Sequence, residues 1–498
     1  MQHASLQIFN DSSAKDIDPR LYGAFIEHFG RAIYSGIYEP GHPSADEGGL
    51  RSDVAGLVRE IDVPVVRYPG GNFVSSYRWE DGVGPRELRP KRLSPAWRTC
   101  ESNQFGTDDF VRWCRTVGTS PMLAFNLGTR GVQAALDLVE YCNHPGGTAL
   151  SDLRIQNGSR EPHDVRVWCL GNEMDCPCQV GNKPAIEYGR LAGETGRALR
   201  RLDPTLELVL CGSTRRAMPT YMEWEQTVLE EAYDVVDYIS LHYYVAEVDC
   251  SSDEEYLATP LTMDLQIREV IAACDFIKAK GGHAKTMMLS FDEWNVWNYI
   301  RANSKCEPWS DAPAQLEQEY TMKDALVFAG MLLTLIRHSN RIRIACIAQL
   351  VNVIAPIMAI AGGGAWRQTI FFPLLHASRH GRGLLLETRL KCDVSKSRES
   401  ADVPNIDAVA THDPRDQSVT IFALNRSPAD CAFHARTENG AWRVEQHIVL
   451  HHFDLSAINS SAEPGNVLPS AGDASVDQGM VHAVLLGYSW NVIRLLPF

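Results

Sequence analysis

Positive charge is scarce in this chain. Its 47 Lys and Arg face 62 Asp and Glu, a net charge of -15 over 498 residues. Such a surface repels polyanions, so nucleic acid and anionic membranes are poor partners and a neutral substrate is compatible. A secretory leader is also lacking. Met1-Gln2-His3-Ala4-Ser5-Leu6-Gln7 has no basic region followed by an apolar one, which points to a cytoplasmic protein. The thirteen cysteines are scattered and odd in number, and Cys169, Cys211 and Cys346 lie inside apolar runs. Reduced core thiols are expected rather than a disulfide framework. Cys176-Pro177-Cys178 lacks the second pair that a zinc site needs, so no metal is expected. No G-x-G-x-x-G follows the first apolar strand, which counts against a dinucleotide-binding sheet, and no Lys-Ser/Thr follows Gly362-Gly363-Gly364, so it is no phosphate loop. The longest charge-free run, Ile344 to Trp366, contains Gln349, Asn352, Pro356 and three consecutive glycines. A spanning helix tolerates that badly, and a buried strand followed by a rim loop fits better.

What is present is a repeated unit. From Leu21 to about residue 380, apolar strand, loop and amphipathic helix alternate. The expected strands are Tyr22–Ile26, Val63–Tyr68, Met122–Leu127, Val165–Leu170, Leu206–Cys211, Val236–Leu241, Met287–Phe291 and Arg343–Leu350. Helical spacing marks Asp108–Val117, Val132–Cys142, Ile186–Leu202, Leu265–Ala279 and Leu316–Ile336, with Thr107 a good helix start. Eight such units predict an α/β fold, a (β/α)8 TIM barrel, over residues 18–382; an open doubly wound sheet is the runner-up. After Gly381-Arg382-Gly383 the helical period gives way to short alternating runs: Asp407–Thr411, Ser418–Leu424, Cys431–Ala435, Arg443–Leu450, Val481–Leu486 and Ser489–Leu496. They predict a C-terminal antiparallel β-sandwich of jelly-roll type, residues 383–498, joined by residues 1–17. In that segment residues 4–10 alternate as a strand and Asp11-Ser12-Ser13 reads as a turn.

Barrel enzymes build their active sites at the C-terminal ends of the strands. The polar residues there are Glu27 and His28, Arg67 with Asn72, Asn126, Asn172 and Glu173, His242 with Tyr243 and Tyr244, Asp292 to Asn295, and Gln349 with Asn352. Amides and carboxylates suit hydroxyl groups, and aromatic faces suit the C–H face of a sugar. Trp224, Trp294 and Trp297 are either sugar platforms or core. The fourth and seventh strands, nearly opposite in such a barrel, both deliver a glutamate. A strand-end glutamate is often only a solvated carboxylate, but two in this relation match the pair that glycoside hydrolysis requires, one protonating the leaving oxygen and one attacking the anomeric carbon.

Six segments together carry a more specific signal. They are Tyr22-Gly23-Ala24-Phe25-Ile26-Glu27-His28-Phe29-Gly30, Arg67-Tyr68-Pro69-Gly70-Gly71-Asn72-Phe73, Trp79-Glu80-Asp81-Gly82-Val83-Gly84-Pro85, Leu170-Gly171-Asn172-Glu173-Met174-Asp175, Asp292-Glu293-Trp294-Asn295-Val296-Trp297, and Ala355-Pro356-Ile357 through Trp366-Arg367-Gln368-Thr369-Ile370. The chain resembles the glycoside hydrolase family 51 α-L-arabinofuranosidases from about residue 5 to its end. The resemblance implies Glu173 as acid/base and Glu293 as nucleophile. It implies Asn172 at the sugar 2-hydroxyl, Glu27, Asn72 and Gln349 as hydroxyl-binding residues, and Tyr244 hydrogen-bonded to the nucleophile. Arg67 and Phe25 would support the subsite, and Trp97 would form an aromatic wall towards the leaving group. It further implies no metal or cofactor, an arabinose-containing oligosaccharide substrate, and a homo-oligomer, a hexamer built as a trimer of dimers. The loops at Cys176-Pro177-Cys178 and 245–263 depart most from the family pattern, which bears on polymer preference rather than on reaction type.

Overall fold

The computed structural model describes residues 1–9, 15–299, 306–396, 402–438 and 441–498. Eight parallel strands close into a barrel in chain order: Gly23–Phe25, Val65–Tyr68, Ser120–Ala124, Val167–Cys169, Glu207–Leu210, Tyr238–Val245, Met288–Val296 and Ile342–Ala348. The last pairs with the first, Cys346 beside Gly23 and Ala348 beside Phe25. That pairing needs Gly23, because a Cβ there would lie 2.7 Å from Val65 and 2.8 Å from the Ala345 carbonyl. The strands are buried on both faces, as parallel strands sheathed by helices must be, and this is why they read as apolar runs without alternation. The closed order excludes the doubly wound alternative.

Several boundaries differ from the sequence expectation. The sixth and seventh strands run on to Val245 and Val296, so His242, Tyr244 and Glu293 lie within strands rather than just beyond them. Helix Thr107–Val117 is capped by Gly106, whose N–H donates to Asp109 Oδ2 at 3.1 Å, and Thr107 is already helical. Gly106 is pressed against the Gly82 carbonyl, which leaves no room for a capping side chain. The expected helix from Leu316 begins only at Met322. Thr321 caps it by accepting from the Asp324 N–H, and the Thr321 N–H donates back to Asp324 Oδ2 at 2.9 Å. The charge-free run forms the eighth strand, then a hairpin of Ile357–Ala359 with Ala365–Arg367. Among the described residues no helix is long and apolar enough to cross a membrane.

The second body is a sheet system in the order Ser470–Ala471, Trp442–His451, Ser489–Pro497, Ser418–Asn425, Ile406–Asp413, Gly383–Lys391, Gln2–Phe9, Cys431–Thr437, Met480–Leu485 and Ser475–Asp477. Gly383–Lys391 was not expected as a strand. Its Leu384-Leu385-Leu386 run obscures alternation, yet it pairs with Ile406–Asp413 on one side and Gln2–Phe9 on the other. The N-terminal strand is therefore central. It pairs parallel with Cys431–Thr437, so the sandwich is not wholly antiparallel. Asn10 and the Asp11-Ser12-Ser13 turn lie outside the described residues. Helix Met322–Arg337 is buried at every position except Lys323 and Arg337. An apolar surface on all sides is what a helix needs when it is covered on all sides. Its core is continuous with Val409, Phe422, Leu424 and Trp490 of the sandwich. Gly330 sits where a Cβ would meet Pro260 at 2.7 Å and Leu424 at 3.4 Å.

Candidate active site

The rim of the barrel gathers the sequence-predicted residues around two carboxylates. The fourth strand ends at Cys169, and the chain turns through Gly171, at φ +97°, to deliver Asn172 and Glu173. Glu173 itself sits at φ +44°, a left-handed conformation that costs energy for a side chain with a Cβ and recurs at functional sites. The seventh strand carries Asp292 and Glu293 at a register shift. Ser240 pairs with Ser290 but His242 with Glu293, so this strand holds one extra residue there. The bulge aims both acids into the site. One oxygen of Glu173, one of Glu293 and a His242 ring nitrogen all lie within 4.8 Å of one another.

Each carboxylate is held differently. Glu293 Oε1 accepts from the Arg67 guanidinium at 2.7 Å and Oε2 accepts from the Tyr244 hydroxyl at 2.9 Å. Arg67 also donates to Asn172 Oδ1 at 2.7 Å and lies 4.8 Å from the Phe25 ring centroid. The buried Asn172 Nδ2 has no hydrogen-bond partner in the structure, leaving it a donor for a ligand. Glu173 Oε1 faces His242 Nδ1 at 2.9 Å. Burial, together with the negative charge of Glu293, raises the Glu173 carboxyl above the usual carboxylate range, against the pull of its bond to His242. Burial opposes charge on His242, but Glu293, Asp292 and Glu173 outweigh it and push the imidazole up to about 10. The ring is an imidazolium at neutral pH. Its Nε2 lies 3.3 Å from Asp292, which burial would raise but which Arg67 and His242 hold below the ordinary range.

Glu27 forms the opposite wall. Its Oε1 accepts from the Phe73 N–H at 2.7 Å and from Trp97 Nε1 at 2.9 Å, and its own N–H donates to Gln349 Oε1 at 2.9 Å. Burial first, and Glu293 in part, push it up to about 8. The Pro69-Gly70-Gly71 turn must pass close to this carboxylate: a Cβ on Gly71 would be 2.9 Å from Glu27 Oε2. Trp97 stacks on Phe29 with ring centroids 3.8 Å apart. Asn72 is half-buried, its Nδ2 4.0 Å from Cys178 Sγ. All ten predicted site residues thus fall on this rim. Of the three ambiguous tryptophans, Trp224 and Trp294 are core, and Trp297 stands half-buried against Tyr244 at 5.7 Å.

Two functional groups stood in the sequence without a role. His242 and Asp292 were legible as strand-end polar residues, but nothing along the chain says that one imidazolium bridges acids from two other strands. The thiols also need correction. Cys176 and Cys178 are joined as a disulfide beside Glu173, while Cys169, Cys211 and Cys346 are free as expected. The turn from Asn172 to Gln179 brings their Cα atoms to 5.2 Å, a closeness that the spacing alone does not dictate.

An eight-stranded barrel with one buried carboxylate just after its fourth strand and another within its seventh has the makings of a glycoside hydrolase. Comparison with known proteins narrows the class. Residues 57–259 match the α-L-arabinofuranosidase 1 domain model, and residues 292–489 match the α-L-arabinofuranosidase C-terminal domain model. The chain is 52% identical over 485 residues to an intracellular exo-α-(1→5)-L-arabinofuranosidase of Halalkalibacterium halodurans, covering 96% of each chain. It is 50% identical to a protein of the same name from Acetivibrio thermocellus, covering 99% of this chain and 100% of the relative. A solved family 51 α-L-arabinofuranosidase from Bifidobacterium longum superposes with a TM-score of 0.95 at 41% identity, covering 99% of each chain. The chain belongs to the glycoside hydrolase family 51 α-L-arabinofuranosidases, and it is a hydrolase.

Proposed function

We propose that this enzyme releases terminal non-reducing α-L-arabinofuranosyl residues from arabinan and arabinoxylan oligosaccharides with retention, by double displacement. The observation that carries this reading is the closeness of Glu173 and Glu293, with oxygens within 4.8 Å. A retaining pair stands about 5–5.5 Å apart, too close for an intervening water. In this reading Glu293, oriented by Arg67 and Tyr244, attacks the anomeric carbon. Glu173 gives its proton to the leaving oxygen. Once Glu293 is esterified its charge is gone, the Glu173 proton affinity falls, and Glu173 takes a proton from the incoming water. His242 donates to Glu173 and lies 3.7 Å from Glu293, so it positions the acid and steadies the negative charge of the site. The free Nδ2 of Asn172 serves the sugar 2-hydroxyl; Glu27, Asn72 and Gln349 serve the other hydroxyls, and Trp97 walls the leaving-group side. Glu173, His242 and Glu293 are close enough together to hold a cation.

The names of the relatives support an intracellular enzyme, and we propose the division into residues 18–382 as catalytic barrel with 1–17 and 383–498 as sandwich, and assembly as a hexamer, a trimer of dimers. The test is transglycosylation to methanol, followed by NMR from the first turnovers. Methyl α-L-arabinofuranoside is expected; the β-anomer would overturn retention. A second retaining specificity on the same scaffold, β-xylosidase or endo-β-glucanase, is separated by parallel assays on aryl arabinofuranoside, aryl xyloside and a soluble glucan. Product analysis on debranched arabinan, linear arabino-oligosaccharides and arabinoxylan then ranks the substrates.

A further inference from the structure

We infer that Cys176 and Cys178 form a reversible thiol–disulfide site, open to small thiols and disulfides, whose redox state tunes the leaving-group side of the active site. Three observations point the same way. The Cys176–Cys178 bond closes a ring around a single residue, with Cα atoms 5.2 Å apart. Such a short loop removes little chain entropy, so this crosslink has little structural purpose in a 498-residue fold. Cys178 is exposed and Cys176 half-buried, whereas Cys114, Cys142, Cys169, Cys211, Cys274, Cys346 and Cys431 are buried thiols. Exposure is what attack by a thiolate requires.

The bond is also wired into the site. The Cys176 N–H donates to the Glu173 carbonyl at 2.9 Å, and the Gln179 N–H donates to the Cys176 carbonyl at 2.9 Å. The Gln179 side chain donates back to the Asn172 carbonyl at 2.7 Å and to Ser75 Oγ at 2.8 Å. The segment from Asn172 to Gln179 is thus one cross-braced turn, with Glu173 in its left-handed conformation at one end. Asn72 lies against Cys178 Sγ. Breaking the sulfur–sulfur bond frees Cys178 to rotate and lets the turn relax where it touches both Glu173 and Asn72.

The exchange balances with reagents of one class. A thiolate attacks Cys178 Sγ, the bond to Cys176 breaks, and Cys176 leaves as a thiolate that takes up a proton. A second thiol resolves the mixed disulfide, releasing Cys178 as a thiol and one small disulfide. The reverse direction consumes a small disulfide and yields two thiols.

This inference rests on the proposed roles of Glu173 and Asn72. The test takes the full-length enzyme through buffers of reduced and oxidised glutathione, without denaturant. Alkylation and mass spectrometry read the state of the 176–178 peptide, and kcat/KM is read on an arabino-oligosaccharide and on an activated aryl arabinofuranoside. The peptide is expected to interconvert between disulfide and dithiol. kcat/KM for the oligosaccharide should differ by about threefold or more between the two states, and that for the aryl substrate by less, because misplacing a group is felt most where it is needed most. The double variant C176S/C178S should lose this dependence. A pair that never oxidises, equal kcat/KM in both states, or a redox response that survives in the double variant would each overturn the inference. Failure of the proposed roles has a different signature: the peptide would still interconvert, but Glu173→Ala would treat good and poor leaving groups alike.

Discussion

At the scale of single residues, the site separates two glutamates by environment. Glu293 is clamped by a guanidinium and a phenol, and Glu173 is buried against an imidazolium. Replacing Glu293 by Ala is expected to cut kcat by roughly 10⁴-fold or more, with azide restoring turnover and yielding the inverted glycosyl azide. Replacing Glu173 by Ala should cost about 10²- to 10⁴-fold on poor leaving groups and much less on activated aryl groups. Equal losses on both, measured side by side, would contradict the acid assignment.

His242 makes a prediction about pH. Its value rises from the ordinary 6.5 to about 10 on folding. A group raised in this way stabilises the fold fully below pH 6.5 and loses that contribution as pH climbs through 10. His242→Gln should therefore be destabilised by roughly 3–5 kcal/mol near neutrality, with the gap to the parent narrowing towards pH 10. Urea unfolding of both proteins across that window checks it. Glu27, raised from 4.5 to about 8, weakens the fold as pH rises through that lower window, but it is common to both proteins and cancels from the comparison.

At the scale of elements, strand ends place the chemistry and glycines let them approach. The turn after the second strand passes so close to Glu27 that Gly71 has no space for a methyl group. Gly71→Ala should push the Glu27 carboxylate off the Phe73 N–H and Trp97 Nε1. A rise in KM of about tenfold, in line with a lost hydrogen bond, is expected with a smaller change in kcat. Steady-state kinetics on an aryl arabinofuranoside would show it; an unchanged KM would mean that Glu27 does not grip the sugar. The bulge in the seventh strand works the same way, since without its extra residue Asp292 and Glu293 could not both face inward.

At the scale of the whole molecule, barrel and sandwich share one continuous apolar core. Helix Met322–Arg337 shares its core with barrel and sandwich, and the first strand of the chain lies at the centre of the second sheet. Deleting residues 1–9 exposes both neighbours of that strand, Gly383–Lys391 and Cys431–Thr437. It is expected to lower the melting temperature of barrel and sandwich together, in a single transition seen equally by circular dichroism and by loss of activity. Two separate transitions would show that the sandwich is a dispensable appendage.

The sequence by itself determined which stretches are strands of a parallel barrel, because burial on both faces demands unbroken apolar runs, and it marked Glu173 and Glu293 because a carboxylate must sit where such a run ends. It also carried the family resemblance on six local segments. The tertiary structure alone decided how these residues meet. Strand extension past Leu241 and Phe291, the bulge at Asp292, the imidazolium of His242, the parallel pairing of Gln2–Phe9 and the bond between Cys176 and Cys178 depend on neighbours far apart in the chain or on a turn's conformation. Local periodicity reports what each segment buries, but not what it is buried against.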